Sequence, residues 1–279
     1  MDNILDYRFD KYTSTGNDGI IEHIFKKNDI KNGTFVEFGA WDGVKNSNCR
    51  KIYEEGWNGI FIEPDKDKYK SLKKNYKNDK QIICINEKIE DKGKYIFDNI
   101  VGSYIGNRNI DFCSIDVDGI DLEIFETFEK YLPIVICIEG GQMLHPYHKR
   151  IKKNISKNNI QQSLGVMVNS FEKKGYKILC SYQDTFFIKK ELYHLFEVED
   201  NLIELYFNGL TALHRRLPWI YKFVKKGGLT NDIIKNILKE TFYFSDYGYK
   251  KRKIWAEEKK EQIKLIIEKY RDIELRKNK

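Results

Sequence analysis

The chain lacks the features that mark membrane, secreted and disulfide-rich proteins. No run approaches the roughly 20 consecutive apolar residues that a membrane-spanning helix needs, and the first residues do not open a signal peptide. We therefore expect a cytoplasmic protein without a membrane span. No pair of cysteines has C-x-x-C spacing, and the five are Cys49, Cys84, Cys113, Cys137 and Cys180. Four of them fall in predicted strands, so free buried thiols are favoured over a zinc site or a disulfide framework.

The surplus of positive charge is concentrated in the C-terminal tail. The formal net charge is +7, and residues 250–279 contribute a surplus of six, with 12 Lys or Arg against 6 Asp or Glu. The rest of the chain is nearly neutral, and we expect no nucleic-acid partner. Ile254, Trp255, Ile263 and Ile266 have helical spacing in the tail, which indicates an amphipathic helix with a solvated face. Contact with a polyanion, a membrane surface or a partner is the alternative.

Residues 35–63 have the pattern of a nucleoside-binding strand, turn, helix and strand. Phe35 to Phe38 form an apolar run interrupted only by Glu37, and Gly39 then allows the backbone to pass close to a ligand. A second apolar run, Gly59 to Ile62, ends at Glu63. An acidic side chain at that edge of a parallel sheet can accept hydrogen bonds from both ribose hydroxyls.

The turn after the first strand lacks the G-x-G-x-x-G pattern of dinucleotide-binding proteins. It reads Gly39-Ala40-Trp41-Asp42-Gly43, and its acidic residue would repel a diphosphate. A cationic ligand without phosphate fits better, so S-adenosylmethionine is favoured over a nicotinamide cofactor.

Four blocks resemble the FkbM-like S-adenosylmethionine-dependent methyltransferases, in the family's order and spacing. The resemblance covers about residues 10–190. The blocks are Ser14 to Ile21, then Glu37 to Gly43, then Ser47-Asn48 with Gly56 to Gly59 and Ile62 to Pro64, and finally Ser114 to Asp121. The resemblance implies a class I methyltransferase fold, an α/β Rossmann-like sheet of seven mostly parallel strands with one antiparallel strand and helices on both faces. It also implies an N-terminal segment over the cofactor and, commonly, sugar or natural-product hydroxyls as substrates.

On this basis we expect the cofactor to contact residues from the first strand to the fourth. These candidates are Glu37, Gly39, Ala40, Trp41, Asp42, Asn48, Glu63, Pro64, Glu87 and Asp116. For Trp41, the alternative to a cofactor contact is a buried side chain packed on the first helix. For the N-terminal segment, the alternative to covering the cofactor is a plain helix cap by Asn17 or Asp18.

Strands and helices continue to alternate to about residue 190, which predicts a doubly wound sheet. The segment 91–110, with three glycines, is interpreted as loop or short irregular elements. We expect an N-terminal segment at 1–33, a methyltransferase domain at 34–192 and a helical extension with a basic tail at 193–279. The helices of that extension are candidates for a homo-oligomer contact.

The reaction centre is expected where strands four and five end. The candidate catalytic residues there are Asp116, Glu139 and His145, the last stiffened by Pro146. In one interpretation Asp116 and Glu139, with Asp118, bind Mg²⁺, which holds a sugar diol. In the other no metal is present, Asp116 orients the ligand or accepts a proton, and Asp118 and Asp121 cap the next helix.

We expect the acceptor to be a small molecule or glycan, with a nucleotide-linked sugar as one candidate. His214 with Arg215 and Arg216 could bind its phosphate, although a surface helix explains them as well. Many relatives carry an acid-Tyr-Asn sequence after strand five, whereas this chain has Glu139-Gly140-Gly141-Gln142. We expect O-methylation of a sugar or glycan precursor. The alternatives are N-methylation of an amine and a non-catalytic protein that retains the nucleoside pocket.

Overall fold

The computed structural model describes residues 3–142, 144, 146–150, 161–212 and 235. Seven strands form one sheet: Thr34–Phe38 (β1), Asn58–Ile62 (β2), Ile82–Ile85 (β3), Phe112–Ile115 (β4), Val135–Glu139 (β5), Tyr176–Ser181 (β6) and Asp184–Lys189 (β7). Their order is β3-β2-β1-β4-β5-β7-β6. The first five pair in parallel, and β7 runs antiparallel to both β5 and β6. This is the class I methyltransferase arrangement, so the predicted fold class is confirmed.

Seven α-helices flank the sheet in the described part of the chain: Asn17–Lys27 (α1), Arg50–Glu54 (α2), Lys66–Asn75 (α3), Phe97–Ile105 (α4), Asp121–Glu126 (α5), Leu164–Lys173 (α6) and Leu202–Ala212 (α7). Short 3-10 helices occur at Ile4–Tyr7, Gly93–Tyr95 and Lys190–Leu195.

The sheet separates two hydrophobic cores because successive strand residues point to opposite faces. Val36 and Phe38 of β1 belong to the core that α4 to α7 cover. Phe35 lies in the other core, against α1, α2 and α3. Glu37 therefore points to the Phe35 face, where its carboxylate meets the loop that precedes α2.

Helix α4 corrects the prediction of a loop over residues 91–110. Its buried side chains Phe97, Ile100, Val101 and Ile105 follow the spacing of a helix face. Gly102 inside the helix weakens that signal in the sequence. Gly106 at the C-terminal end has a positive φ of 62°, which is the usual role of glycine there.

Helix α2 is short, with five residues. It begins at Arg50, because Asn46 has a left-handed backbone (φ 56°) and Ser47 to Cys49 are held by hydrogen bonds to Glu37. The Ser47 hydroxyl still accepts the N–H of Arg50, at 3.1 Å.

The cysteines and the start of the predicted extension are described. All five cysteines are free, as predicted, and only Cys84 is not fully buried. Helix α7 packs on β6 and α6. His214 to Arg216 and the basic tail lie outside the described residues, so these predictions stay predictions. Within the described residues, no helix has the length and apolar character to cross a membrane.

Candidate functional site

The predicted site residues converge on one edge of the sheet. Parallel strands β1, β2, β4 and β5 all end there, and antiparallel β7 begins there. The residues at or just beyond these ends are Gly39, Glu63, Asp116, Glu139 and Asp184. This is the edge where open α/β sheets bind ligands.

The turn after β1 presses against the end of β4. Gly39 has a positive φ of 65°, and a Cβ at this position would lie 2.0 Å from the carbonyl oxygen of Asp116. Only glycine fits that approach. Glycine at this position therefore allows the β1 turn to pack directly on the end of β4.

Glu63 ends β2 as a buried carboxylate, only 2% exposed. Its Oε2 accepts the N–H of Trp41 and its Oε1 accepts the N–H of Asp65, both at 2.8 Å. Each carboxylate oxygen can accept two hydrogen bonds, so each retains capacity for a ribose hydroxyl. The protein bonds also hold the β1 turn against the end of β2.

Asp42 organises the turn after β1 from within. Its Oδ1 accepts the N–H groups of Val44 and Lys45, at 2.9 and 2.8 Å. These are backbone donors of the kind that would cradle a phosphate, and here the protein's own carboxylate occupies them. The turn is consequently suited to a ligand without phosphate.

Trp41 lies at the rim of this turn and is 40% exposed, which excludes its alternative role as a buried core residue. Its φ is 49°, and the ammonium groups of Lys45 and Lys68 lie 4.8 and 5.3 Å from the centre of its ring. The indole is thus fixed by cation–π contacts at the solvent boundary, beside Glu63.

Glu37 supports the loop after the turn. Its carboxylate accepts hydrogen bonds from the Ser47 hydroxyl at 2.6 Å and from the N–H groups of Asn48 and Cys49 at 2.9 and 3.3 Å. Burial raises the pKa of Glu37 to about 7, although these donors oppose the shift. The side chain fixes Asn48 in the site.

Three acidic side chains meet where β4 and β5 end. Asp116, Asp118 and Glu139 each bring one carboxylate oxygen within 4.8 Å of the other two. Asp116 is partly accessible to solvent. Desolvation of its carboxyl and the charge of Glu139 nevertheless raise the pKa of Asp116 to about 8. Burial, with Asp121 and Asp184, raises the pKa of Glu139 to about 7.

Asp121 and Gln161 hold this acidic group in place. Asp121 accepts the N–H groups of Val117 and Gly119, at 2.8 and 2.9 Å. It is the first residue of α5, so it fixes the turn before the helix instead of capping the helix itself. Gln161 donates to Asp121 at 2.9 Å and to Glu139 at 2.7 Å.

Sequence reasoning missed Asn17 and Asp184 as site residues. The Asn17 side-chain NH₂ donates to Asp184 at 2.6 Å and to Asn48 at 2.8 Å, and Asn48 donates onward to Ser114 at 2.9 Å. A signal was available in the two apolar runs that flank Ser181 to Asp184, because they have the pattern of a β-hairpin. Pairing its second strand with β5 puts Asp184 opposite Glu139.

Asp18 does not act as the plain helix cap that was the alternative for this segment. Its Oδ2 accepts the N–H groups of Lys11, Tyr12 and Thr13 at 2.8 to 2.9 Å. Asn46 also donates its N–H to the carbonyl of Tyr12, at 3.1 Å. Residues 11–13 are thereby tied to helix α1 and to the loop after β1.

Other predicted site residues lie around the edge. Ala40 is buried, whereas Pro64 and Glu87 are exposed. Asn86, next to Glu87, donates to the carbonyl of Glu63 at 2.7 Å. His145, the predicted general base, lies outside the described residues.

Comparison with known proteins gives fold-level similarity. No protein-family model matches the chain, and no curated protein sequence matches it. Several similar solved structures are S-adenosylmethionine-dependent methyltransferases. One from Aquifex aeolicus is 10% identical, over 60% of this chain and 86% of that chain, with a TM-score of 0.38. A TehB-like one from Corynebacterium glutamicum is 9% identical, over 60% and 87%, also with a TM-score of 0.38.

A third similar structure contains ligands. It is geranyl diphosphate C-methyltransferase from Streptomyces coelicolor, in complex with Mg²⁺, geranyl diphosphate and S-adenosyl-L-homocysteine. It is 10% identical, over 58% of this chain and 64% of that chain, with a TM-score of 0.38. The fold assignment itself rests on the strand order and register described above.

Proposed function

We propose that the protein is an S-adenosylmethionine-dependent methyltransferase. The observation that supports this most is the pairing of two features at one edge of the sheet. Gly39 brings bare backbone against the end of β4, and buried Glu63 ends β2 with acceptor capacity left for a ribose. The acidic surroundings fit a donor that carries a sulfonium and an ammonium group.

We assign the donor site to the residues between the ends of β1 and β4. Glu63 accepts the ribose hydroxyls, and Gly39 and Ala40 pass beneath the methionine part. Glu37 acts through Asn48, whose loop it holds. The remaining members of this proposed site are Trp41, Asp42, Pro64, Glu87 and Asp116.

The proposed chemistry uses the acids that follow β4 and β5. Bound S-adenosylmethionine supplies an electrophilic methyl group. An acceptor hydroxyl must lose its proton as it attacks, and a base whose pKa lies near the working pH accepts that proton most effectively. The raised pKa values of Asp116 and Glu139, about 8 and about 7, suit this task. Gln161 orients Glu139, and His145 stays a candidate base from the sequence.

We propose a hydroxyl of a sugar or glycan precursor as the acceptor, including a nucleotide-linked sugar. This finer assignment rests on the FkbM-like sequence blocks, two of which, Glu37 to Gly43 and Ser114 to Asp121, form the centre of the site. A cytoplasmic location, a homo-oligomer contact through the C-terminal helices and the proposed division at residues 33 and 192 rest on the sequence alone.

The acidic group favours two variants of this proposal. An amine acceptor, which enters as an ammonium ion, would be attracted to Asp116, Asp118 and Glu139. Alternatively, Mg²⁺ would bind the same three carboxylates, whose oxygens lie within 4.8 Å of one another. Opposing ligands of Mg²⁺ lie about 4 Å apart and adjacent ligands about 3 Å apart, so the three carboxylates would move closer together to bind the ion. The ion would polarise a hydroxyl.

Calorimetric titration with S-adenosylmethionine tests the donor. We expect saturable binding by the wild type and its loss in Glu63→Ala, because the ribose hydroxyls lose their acceptor. Glu172→Ala, which removes an exposed glutamate at the end of α6, is the control and should bind like the wild type. Absence of binding by the folded wild type would refute the proposed function.

Mass spectrometry of products tests the acceptor. The protein is incubated with S-adenosylmethionine and a library of nucleotide-sugars, glycans and amines, with and without EDTA. A methylated sugar supports the hydroxyl proposal, and its loss with EDTA supports Mg²⁺. A methylated amine that forms in the presence of EDTA supports the metal-free amine variant.

A further inference from the structure

A carboxylate outside the predicted site faces the reaction centre from β7. Asp184 lies opposite Glu139 in the antiparallel pairing of β5 with β7, and directly opposed residues have Cα atoms about 4.5 to 5.5 Å apart. Asp184 is 9% exposed. Its negative charge contributes to the raised pKa values of both Asp116 and Glu139. Asp184 therefore acts electrostatically on both of these acids at the ends of β4 and β5.

The orientation of Asp184 is set by Asn17, from the first turn of α1. The Asn17 NH₂ group donates to Asp184 at 2.6 Å and to Asn48 at 2.8 Å. Its carbonyl oxygen accepts the hydroxyls of Tyr182 and, at 3.2 Å, of Thr15. The Asn17 side chain thus donates two hydrogen bonds and accepts two, which uses both of its N–H groups and both lone pairs of its oxygen. The amide cannot turn without loss of several bonds.

This network is buried, and it connects Asp184 to the proposed donor site. Asn17 is 2% exposed and Tyr182 is 0% exposed. Asn48 continues the network to Ser114 of β4, and the N–H of Asn48 is held by Glu37 of β1. A buried carboxylate that receives a hydrogen bond from a neutral amide keeps its full negative charge when ionised. That charge can act on a ligand over the ends of β4 and β5.

We propose that Asp184 is a counter-charge for the sulfonium of S-adenosylmethionine, positioned by Asn17, and that this pair makes the protein prefer the methyl donor to the demethylated product. The inference rests on the proposed function. The preference arises from the sulfonium charge, because S-adenosylhomocysteine has a neutral thioether where the donor has a sulfonium. Release of the product is favoured for the same reason.

Calorimetric dissociation constants for both molecules test the inference. In Asp184→Asn we expect binding of S-adenosylmethionine to weaken about tenfold and binding of S-adenosylhomocysteine to weaken less than about threefold. Asparagine keeps the shape and an oxygen to accept the Asn17 hydrogen bond. Sinefungin carries an ammonium in place of the methylsulfonium, so its binding to Asp184→Asn should weaken as the binding of S-adenosylmethionine does.

Two further variants separate charge from packing. Asp184→Glu keeps the charge and should keep the preference for S-adenosylmethionine within about threefold of the wild type. Asn17→Ala should reduce the preference, by less than Asp184→Asn does, because Asp184 stays but is no longer oriented. Asp111→Asn is the matched control: Asp111 is a half-buried carboxylate that accepts the N–H of Thr34 at 2.7 Å, at the opposite edge of the sheet. It should leave the preference unchanged.

The possible results separate this inference from the proposed function. If Asp184→Asn weakens the binding of both molecules equally, or of neither, then Asp184 does not act on the sulfonium. The inference is then overturned while the proposed function stands. If Asp184→Glu loses the preference as Asp184→Asn does, a role of charge is also excluded. If the folded wild type binds neither molecule, both proposals fail.

Discussion

At the scale of the residue, Gly39 is the position that the site tolerates least. Its φ of 65° favours glycine, and a Cβ would meet the Asp116 carbonyl oxygen at 2.0 Å. Gly93 has a similar φ of 78°, but a Cβ there would have no atom within 4 Å. The two glycines therefore separate the cost of the backbone conformation from the cost of a collision.

We predict that Gly39→Ala destabilises the protein by at least about 3 kcal/mol, because about 1 kcal/mol for the left-handed backbone is joined by displacement of the β1 turn from β4. Gly93→Ala should cost only about 1 kcal/mol. Urea denaturation followed by circular dichroism measures both. Equal costs would show that the turn moves freely away from Asp116.

Residue types alone do not show how the acidic side chains of this site are held. Asp42 was predicted to repel a diphosphate, and the structure adds that its carboxylate occupies the N–H groups of Val44 and Lys45. For Glu37, which was predicted to contact the cofactor, the structure adds that its oxygens hold the loop at Ser47 to Cys49. Such partners depend on the path of a loop, which no local pattern encodes.

At the scale of the element, one carboxylate ties residues 11–13 of the N-terminal segment to helix α1. Asp18 Oδ2 accepts three successive N–H groups, from Lys11, Tyr12 and Thr13, and also the Thr13 hydroxyl at 2.9 Å. Hydrogen bonds to a charged group are each stronger than neutral ones. The position of residues 11–13 thus depends on α1, the helix that also presents Asn17.

We predict that Asp18→Ala destabilises the protein by about 2 to 3 kcal/mol and exposes the Lys11 peptide bond to trypsin. Limited proteolysis with mass spectrometry should detect faster cleavage after Lys11, while urea denaturation gives the stability. Asp6→Ala, an exposed position in the first 3-10 helix, is the control. Unchanged cleavage in Asp18→Ala would show that other contacts hold the segment.

The elements themselves were largely predictable, since apolar runs separated by amphipathic helices specify a doubly wound sheet. Helix α4 was not, because three glycines within residues 91–110 outweighed the helical spacing of Phe97, Ile100 and Ile105. Asp184 was missed for a different reason. Its place opposite Glu139 depends on the register of β5 with β7, 45 residues apart in sequence, and pairing at that distance is a property of the assembled sheet.

At the scale of the whole molecule, charge is distributed unevenly. The chain has a formal net charge of +7, yet the cleft gathers Asp116, Asp118, Asp121, Glu139 and Asp184. Removal of a negative charge from a basic protein adds to its overall repulsion. In the cleft, the same removal relieves a local repulsion. The two effects have opposite signs, so the stability of one variant shows which is larger.

We predict that Asp116→Asn stabilises the ligand-free protein, and does so more at pH 8 to 9 than at pH 5. Burial and neighbouring acids raise the folded pKa of Asp116 to about 8, from an ordinary 3.8. The folded state therefore binds this proton more tightly than the unfolded state, and stability is lost progressively as pH rises from about 4 to about 8. Asparagine avoids that loss. Because Asp116 meets solvent, we expect a gain of only about 1 kcal/mol.

Urea denaturation of the wild type and Asp116→Asn at pH 5 and pH 9 measures this gain. Asp29→Asn, which removes one exposed charge from the loop between α1 and β1, is the control for net charge. A gain that grows with pH only in Asp116→Asn would show that local repulsion in the cleft exceeds the cost of added positive charge. A loss of stability at pH 9 would instead assign Asp116 a favourable ionic partner. Since a cation bound among these acids would remove the repulsion, the same gain should also shrink when S-adenosylmethionine is present.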